Sequence, residues 1–378
     1  MPRSTASTRP WRALAAALAR RLALGLGALC AVAAAGAATG PAAPAKTCLT
    51  DCRSRIGIVS AFGQEADILI AQTQGRRSHV IKGKTFTTGR LRGNPVVIVL
   101  SGVSMINSTL VTQMMIDHFQ IERLVMSGIA GGVNPANHVG DVTIPQRWAM
   151  PLEVFWSHDS ALPAACGAAG DVSCLGLKLA RVDGRPVPPF TLPAPGGGEV
   201  PTGLFMRENF VMTAANAPRG EFLFDYEVDP AMYAVASGIA PKLERCGPRA
   251  VKSPGAEPDP KLCVGTQPKL VLGGRGVSAT VFLANAAYRA YLFETLQAQT
   301  FEMETAALAH VAYANGIPYI AFRSLSDLAG AEAFNADVGA LFASGLAESN
   351  EAAVTLAFLE AWAQRETPKA AVAPGARP

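Results

Sequence analysis

The chain has 378 residues, of which 49% are hydrophobic and 16% charged. That length suits one large α/β domain or two modest ones, and the composition excludes global disorder. The formal net charge of +4 arises at the N-terminus, where the first 45 residues hold five arginines and no acid, which leaves −1 for the remainder. A nearly neutral protein gives no indication of nucleic acid or an anionic membrane as a partner.

Residues 1–45 are predicted to be a signal peptide. Arginines precede an apolar run over residues 22–35, and small residues suited to cleavage follow between Ala34 and Ala45. We therefore expect an exported protein, periplasmic or secreted, with no stable membrane association after cleavage.

Three alternatives to a simple cleaved signal stay open. A transmembrane anchor is disfavoured because the apolar run is short and rich in glycine and alanine. The pair Arg20-Arg21 leaves the twin-arginine route possible, and Cys30 leaves a lipoprotein possible.

Six cysteines lie beyond the predicted signal peptide, and an even number in an exported chain indicates disulfides. Pairing of sequence neighbours is the simplest connectivity: Cys48–Cys52, Cys166–Cys174 and Cys246–Cys263. A zinc site is the alternative, because Cys48 and Cys52 could begin one, but no His-x-x-x-His or second close cysteine pair completes it.

Strands and helices are predicted to alternate along the chain. The first strand covers residues 55–62, with a helix from about Glu65. The next stretch predicts a strand at 96–100, a helix at about 104–119, a strand at 123–127 and a glycine-rich turn. Further on, a helix at 304–315 ends at Gly316, and a strand follows at 319–325. This order predicts an α/β domain with a mixed, largely parallel sheet flanked by helices.

The domain is predicted to span residues 46–367 and to carry an insertion. Over residues 156–268 the periodicity weakens, and proline, glycine and cysteine become frequent. We interpret this segment as an irregular elaboration of one domain, pinned by disulfides. Residues 368–378, rich in alanine and proline, are predicted to form a disordered tail.

Polar residues stand where the predicted strands end, which is where ligands bind in open parallel sheets. The strand ends carry Glu65, Ser101, Arg323 and Asp327, and another strand meets a helix at Glu304. Three acids and an arginine converging on one cleft form a plausible acid–base set. Taken singly, each acid could instead be a helix cap or a helix-dipole partner.

Six stretches together resemble the nucleoside phosphorylase and nucleosidase superfamily, and within it 5′-methylthioadenosine/S-adenosylhomocysteine nucleosidases most closely. They are IGIVSAFGQE (56–65), SGVS (101–104), SGIAGGV (127–133), VGDV (139–142), EMETAALAHV (302–311) and RSLSD (323–327). The resemblance keeps motif order and covers roughly residues 55–150 and 270–365. It implies a nucleoside phosphorylase-like fold, a purine nucleoside as substrate, no cofactor, no metal and a homo-oligomer.

The resemblance also implies roles at the sugar end of the cleft. Glu65 would hold and deprotonate the attacking water, and Ser101 and Arg323 would hold the water and orient Glu65. Glu304 would accept hydrogen bonds from the ribose hydroxyls, with Met303 under the sugar.

At the base end, Asp327 would give a proton to N7 of the purine, assisted by Ser326. Phe282 matches the aromatic residue that stacks on the base. Glu302 at a strand end and Gly128 in the second glycine turn complete the implied substrate-binding set.

The same resemblance helps to decide whether the reaction is hydrolysis or phosphorolysis. Superfamily phosphorylases hold phosphate with arginines, and this chain has Met126 at one of those places and the turn ending at Glu65 at the other. A carboxylate there would repel phosphate, so hydrolysis is favoured. A phosphorylase and a catalytically silent nucleoside-binding protein remain the alternatives. The chain departs from the family at Ala279-Thr280, where a Gly-Asp pair is usual, and at Gly330, where an acid is frequent.

Overall fold

The computed structural model describes residues 48–152, 209–253, 255–331 and 336–366, with short strand segments between residues 181 and 202. The helices are α1 (Gly63–Gln72), α2 (Met105–His118), α3 (Pro230–Ser237), α4 (Ala286–Leu296), α5 (Thr305–Asn315), α6 (Ala336–Ala343) and α7 (Leu346–Glu366). The strands are β1 (Asp51–Ser60), β2 (Gln74–Ile81), β3 (Lys84–Leu91), β4 (Asn94–Leu100), β5 (Phe119–Gly132), β6 (Val142–Ile144), β7 (Arg147–Ala149), β8 (Arg181–Val182), β9 (Arg185–Pro186), β10 (Phe190–Pro193), β11 (Glu199–Thr202), β12 (Asn209–Val211), β13 (Glu221–Leu223), β14 (Asp225–Glu227), β15 (Leu270–Leu272), β16 (Arg275–Ser278), β17 (Ala298–Glu302) and β18 (Tyr319–Asp327).

A mixed central sheet organises these elements, as the sequence predicts. At its centre β4, β1, β5 and β18 lie side by side in parallel. The antiparallel strands β3 and β2 extend one edge, and β17, β16, β7 and β14 continue the other. Because the central strands are parallel, their carboxyl ends meet at one edge of the sheet.

Helices cover both faces of the sheet. On one face α2 and α5 pack against β1, β4, β5 and β18 through a cluster that contains Val111, Met115 and Leu308. On the other face α1, α3 and α7 bury Leu69, Met232 and Phe358 against the same strands. The central strands are therefore apolar on both faces, as expected for parallel strands between two helical layers.

The predicted glycine-rich turn after residue 127 is wrong, because β5 continues as a strand to Gly132. The extension is paired on both sides: β18 runs parallel to it as far as Gly131, and β17 pairs antiparallel at Gly131 and Gly132. Glycines here indicate close neighbours and not a turn, since a Cβ at Gly131 would lie 3.0 Å from an oxygen of Asp327.

Regular structure also occurs within residues 156–268, where the sequence predicts an irregular insertion. Strand β14 pairs antiparallel with β7 at the sheet edge, and α3 buries Met232 and Ala236 in the core. Disulfides join Cys48 to Cys52 and Cys246 to Cys263, as predicted. The predicted Cys166–Cys174 pair, signal peptide and C-terminal tail lie outside the described residues.

Candidate active site

A cleft of about 210 Å³ lies at the carboxyl ends of β1, β5, β17 and β18. The β1–α1 turn supplies one wall, the end of β17 the floor, and the end of β18 a second wall. Seven of the ten predicted site residues line the cleft, and Arg323 contacts three of them from outside the lining. The lining residues among those predicted are Glu65, Phe282, Glu302, Met303, Glu304, Ser326 and Asp327.

Glu65 is fixed by three main-chain N–H groups. Its Oε2 accepts hydrogen bonds from the N–H of Ala61 (2.6 Å) and Phe62 (3.2 Å), and its Oε1 accepts one from Ile129 (2.8 Å). Burial raises the pKa of Glu65, while Arg323 and the three N–H groups oppose that rise. Glu65 is therefore a rigid carboxylate that holds a proton more strongly than an exposed glutamate does.

Arg323 is the buried cation of the site, with 0% of its surface exposed. Its Nη1 donates to the Ile129 carbonyl at 3.1 Å and lies 3.8 Å from Oε1 of Glu65. Nε and Nη2 donate to the Thr305 hydroxyl at 3.1 and 2.9 Å. Nη2 also pairs with Glu302 and lies 3.5 Å from Oε2 of Glu304. One guanidinium thus forms ion pairs with the carboxyl groups of Glu65, Glu302 and Glu304.

Glu302 ties the end of β17 to the start of α5. Its carboxylate accepts hydrogen bonds from the N–H groups of Glu304 and Thr305, both at 2.9 Å, and from the Thr305 hydroxyl at 3.0 Å. The Ser278 hydroxyl and Arg323 donate to it as well. This carboxylate, at the N-terminus of α5, therefore fixes the positions of β17, α5 and Arg323 relative to one another.

Glu304 lines the cleft, and one of its carboxyl oxygens accepts a main-chain hydrogen bond. Its Oε1 accepts a hydrogen bond at 2.8 Å from the N–H of Ser104, whose φ of 91° is rare for a residue other than glycine. Burial, and then the neighbouring Glu302, raise the pKa of Glu304 to about 7, against the opposing effect of Arg323. Near neutral pH this carboxyl can therefore either accept or give hydrogen bonds toward a ligand.

Asp327 ends β18 on the opposite side of the cleft. The N–H of Ala329 donates to its Oδ1 at 2.7 Å, and the Ser326 hydroxyl lies 2.9 Å from its Oδ2. Burial raises the pKa of Asp327, although both hydrogen bonds oppose the rise. An aspartic acid that keeps its proton at a higher pH is better suited to protonating a ligand.

Apolar residues complete the cleft between the two carboxyl ends. Val281, Phe282 and Leu283 form one side, and Met303 lies beside Glu304. Phe282 is 60% exposed, and aromatic rings of this kind stack on flat ligands.

Besides Arg323, two predicted site residues do not line the cleft, Ser101 and Gly128. The Ser101 hydroxyl donates to the carbonyl of Gly102 at 2.7 Å and lies 3.3 Å from that of Ser60, so it stabilises the turn after β4. Gly128 lies beneath the cleft, where an added Cβ would come within 2.5 Å of Glu65 and 2.4 Å of Arg323. Its part in the site is steric: it lets the carboxylate and the guanidinium approach each other.

Gly330 accounts for one departure from the family pattern. Its φ is +89°, and a Cβ there would lie 2.2 Å from the backbone nitrogen of Asn285. An acidic side chain cannot occupy this position while the β16–α4 connection runs so close to it.

Sequence reasoning missed a further buried acid, Glu351 on α7. Its Oε1 accepts from the Thr355 hydroxyl at 3.0 Å, and Thr355 lies 2.8 Å from the hydroxyl of Ser127 on β5. Its Oε2 has no hydrogen-bond partner among the described residues. Burial raises the pKa of Glu351 well above its usual range, and the nearby Glu65 adds to this rise.

The sequence also contained no signal for the main-chain donors of Ser104 and Ile129 or for the Thr305 hydroxyl. Within the described ranges, no cluster of three or more His, Cys, Asp or Glu is placed to hold a metal ion. No helix in those ranges has the length and hydropathy needed to cross a membrane.

The fold and the cleft define an α/β protein with carboxyl groups at the strand ends, and comparison with known proteins identifies the family. The family model described as "Phosphorylase superfamily" matches residues 55–360, so the chain belongs to that superfamily.

Curated relatives carry the name 5′-methylthioadenosine/S-adenosylhomocysteine nucleosidase. The protein of Geobacillus kaustophilus is 27% identical over 278 residues, which cover 74% of this chain and 86% of the relative. That of Pseudoalteromonas translucida is 39% identical over 89 residues, which cover 24% of this chain and 38% of the relative.

Solved structures share the fold. The 5′-methylthioadenosine/S-adenosylhomocysteine nucleosidase from S. pneumoniae, with a transition-state inhibitor, matches with a TM-score of 0.51 and 23% identity, covering 82% of this chain and 100% of that one. The futalosine hydrolase of Helicobacter pylori matches with a TM-score of 0.51 and 18% identity, covering 84% and 98%. The family model confirms the superfamily predicted from the motifs, and the curated relatives carry the name of the family that those motifs most resemble.

Proposed function

We propose that this protein hydrolyses the N-glycosidic bond of purine nucleosides and releases the free base, with 5′-methylthioadenosine and S-adenosylhomocysteine as candidate substrates. The observation that carries the proposal is a single cleft with three separately held carboxyl groups, Glu65, Glu304 and Asp327. The names of the relatives support the same chemistry.

The division of the acids fits the charges that develop in the reaction. Cleavage of the glycosidic bond builds positive charge on the ribosyl carbon and negative charge on the departing base. Glu65 and Glu304 lie together at one end of the cleft, where carboxylates would stabilise the sugar cation. Asp327 lies at the other end, where a protonated acid would neutralise the base at N7.

Glu65 suits the role of general base. Three main-chain N–H groups hold its carboxylate in place, and burial raises its pKa toward the working pH. A base whose pKa lies closer to neutral takes a proton from water more readily. Water held at Glu65 and directed at the ribosyl carbon completes the hydrolysis.

Hydrolysis is favoured over phosphorolysis because the described part of the chain places no cation in the lining of the cleft. Arg323 is fully buried, and its donors are directed at Ile129, Thr305 and the carboxyl groups. Among the described residues that line the cleft there is no lysine or arginine. Inorganic phosphate would therefore meet carboxylates with no positive group to balance its charge.

The decisive assay is base release by the mature protein with and without phosphate. Methylthioadenosine, S-adenosylhomocysteine, adenosine and inosine serve as substrates, with the sugar product identified by mass spectrometry. Release without phosphate, yielding the free ribose derivative, supports the proposal. Release that requires phosphate identifies a phosphorylase, and binding without release identifies a silent binding protein.

Asp327→Asn tests the proposed acid directly. We expect kcat to fall by about 10²–10⁴-fold, because the amide cannot give a proton to N7, while substrate affinity changes little. Asp67→Asn on the exposed face of α1 is the matched control and should leave kcat unchanged. Unchanged turnover of Asp327→Asn would remove the N7-acid assignment.

Export is part of the proposal, with residues 1–45 as a cleaved signal peptide. The disulfide Cys246–Cys263 supports an oxidising destination, because such bonds persist mainly outside the cytoplasm. Fractionation of cells that express the full chain, with N-terminal sequencing of the product, tests it. A cytoplasmic product that begins at Met1 would refute export.

Self-association is the last part of the proposal. Val103 lines the cleft, and the adjoining face of α2 leaves Ile106 77% and Leu110 54% exposed. An exposed apolar face beside a ligand cleft is typical of a subunit interface. Sedimentation should show an oligomer, and Ile106→Glu should convert it to monomer. A monomeric parent protein would contradict this expectation.

A further inference from the structure

A second cavity adjoins the candidate active site and has no part in the proposed hydrolysis. It measures about 440 Å³ and shares three lining residues with the first cleft: Phe282, Ser326 and Asp327. The two cavities are therefore neighbours, and a ligand stacked on Phe282 beside Asp327 would lie next to the second cavity.

The position of the sugar fixes which part of a ligand meets this space. Glu65, Met303 and Glu304 line the first cleft and are not among the residues that line the second cavity. The second cavity thus lies at the base end, away from the sugar. In a purine, N7 is bonded to C8 and C5. C8 is bonded to the glycosidic nitrogen and so lies toward the sugar. C5 is bonded to C6, whose substituent lies on the same edge of the base as N7 and away from the sugar. With N7 at Asp327, the C6 substituent points toward the second cavity.

One wall of the second cavity is held rigidly. The segment from Cys263 to Thr266 is anchored by the disulfide to Cys246 and by Arg245, whose guanidinium donates to the Val264 carbonyl at 3.1 and 3.0 Å and to the Gly265 carbonyl at 3.1 Å. A wall fixed by a covalent bond and three hydrogen bonds keeps the cavity open without a ligand.

The residues that line the second cavity favour an apolar group as its occupant. Apolar side chains form much of this lining, namely Val139, Val264, Phe282, Ala284, Leu328 and Leu341. The polar lining residues are His138, Thr266, Ser326 and Asp327, and no lysine or arginine is present among the described lining residues. An apolar group that enters such a cavity is removed from water and stabilised by roughly 25 cal/mol per Å² buried.

We propose that the enzyme accepts purine nucleosides that carry an apolar substituent on the exocyclic 6-amino group, and that the second cavity binds this substituent. The inference rests on the proposed function, since it takes the base to be oriented with N7 at Asp327. Alkylation of the 6-amino group leaves the lone pair of N7 free, so Asp327 can still donate its proton and the glycosidic bond still breaks to give the substituted base.

The test compares adenosine with N6-benzyladenosine, and adenine with N6-benzyladenine. The wild type should hydrolyse the benzyl nucleoside with kcat/KM within tenfold of the parent nucleoside. A loss greater than tenfold overturns the proposal. If neither nucleoside is hydrolysed, the proposed function fails, and calorimetric binding of the two free bases decides the inference separately: the benzyl base must bind at least as tightly as adenine.

Two variants locate the substituent. Thr266→Trp and Leu341→Trp each place a bulky ring in the second cavity, and each should lower kcat/KM for the benzyl nucleoside at least tenfold while adenosine stays within twofold. Lys269→Trp, at an exposed residue that lines neither cavity, is the matched control. Equal losses on both substrates, or no loss with either cavity variant, would place the substituent elsewhere and refute the proposal.

Discussion

The steric role of Gly128 leads to a sharp prediction for Gly128→Ala. The added methyl would lie 2.4 Å from Nη1 of Arg323 and 2.5 Å from Oε1 of Glu65. Since non-bonded atoms settle about 3.5 Å apart or more, each group must move by about 1 Å. Neither can rotate away freely, because Ile129 holds Glu65 through its N–H and Arg323 through its carbonyl.

The expected result is a loss of activity larger than the loss of stability explains. A displacement of about 1 Å at a catalytic group lowers the rate by on the order of 10²-fold. Overpacking of this kind also lowers the free energy of unfolding by about 1–3 kcal/mol. We therefore expect kcat/KM for base release to fall about 10²-fold in a protein that remains folded at the assay temperature.

Steady-state kinetics and thermal unfolding on the same preparation check this prediction. Gly238→Ala is the control, because the nearest atom to its added Cβ is 3.6 Å away. A Gly128→Ala enzyme with kcat/KM within threefold of wild type would show that the spacing of Glu65 and Arg323 does not limit the reaction.

Three further predictions concern buried groups. Thr305→Val should lower the free energy of unfolding by about 1–3 kcal/mol, measured in urea, because Arg323 loses an acceptor that receives two of its N–H groups. The raised pKa of Glu351 means that the folded state binds more protons than the unfolded state, so the free energy of unfolding falls as pH rises above the usual glutamate range. In thermal scans at several pH values, Glu351→Gln should flatten this pH dependence. The control Glu360→Gln, at an exposed residue, should leave it unchanged. Replacing both Cys246 and Cys263 by serine should lower stability by about 3 kcal/mol, since their separation of 17 residues closes a moderate loop. Dithiothreitol should lower the stability of the wild type more than that of the double variant, which keeps only Cys48–Cys52 among the described disulfides.

The sequence predicts the position of the cleft carboxyl groups because they stand at the ends of strongly apolar strands. Glu65 and Asp327 follow β1 and β18, which lie parallel on either side of β5, so their ends meet at one edge of the sheet. Glu304 follows β17, which reaches the same cleft by pairing antiparallel with the end of β5. The central strands and α2 and α5 follow from the same periodicity, within a few residues of their observed ends.

Other features depend on contacts that a single sequence does not display. A run of glycines at 128–132 is typical of a turn, and only the pairing of β5 with both β17 and β18 makes it a strand. Ser101 has the residue type of a water ligand, but its hydroxyl is taken up by main-chain carbonyls. Glu351 belongs to a polar-looking stretch of α7, and its burial follows from the packing of that helix on the sheet.

The main-chain hydrogen bonds that hold Glu65 are independent of the side chains that line the other end of the cleft. The three hydrogen-bond donors to Glu65 are main-chain N–H groups, which every substitution other than proline leaves in place. The base end of the cleft, in contrast, is formed by side chains such as Val281, Phe282 and Leu283. Under the proposed function, natural variation or protein engineering could therefore alter which base is recognised while Glu65 keeps its geometry.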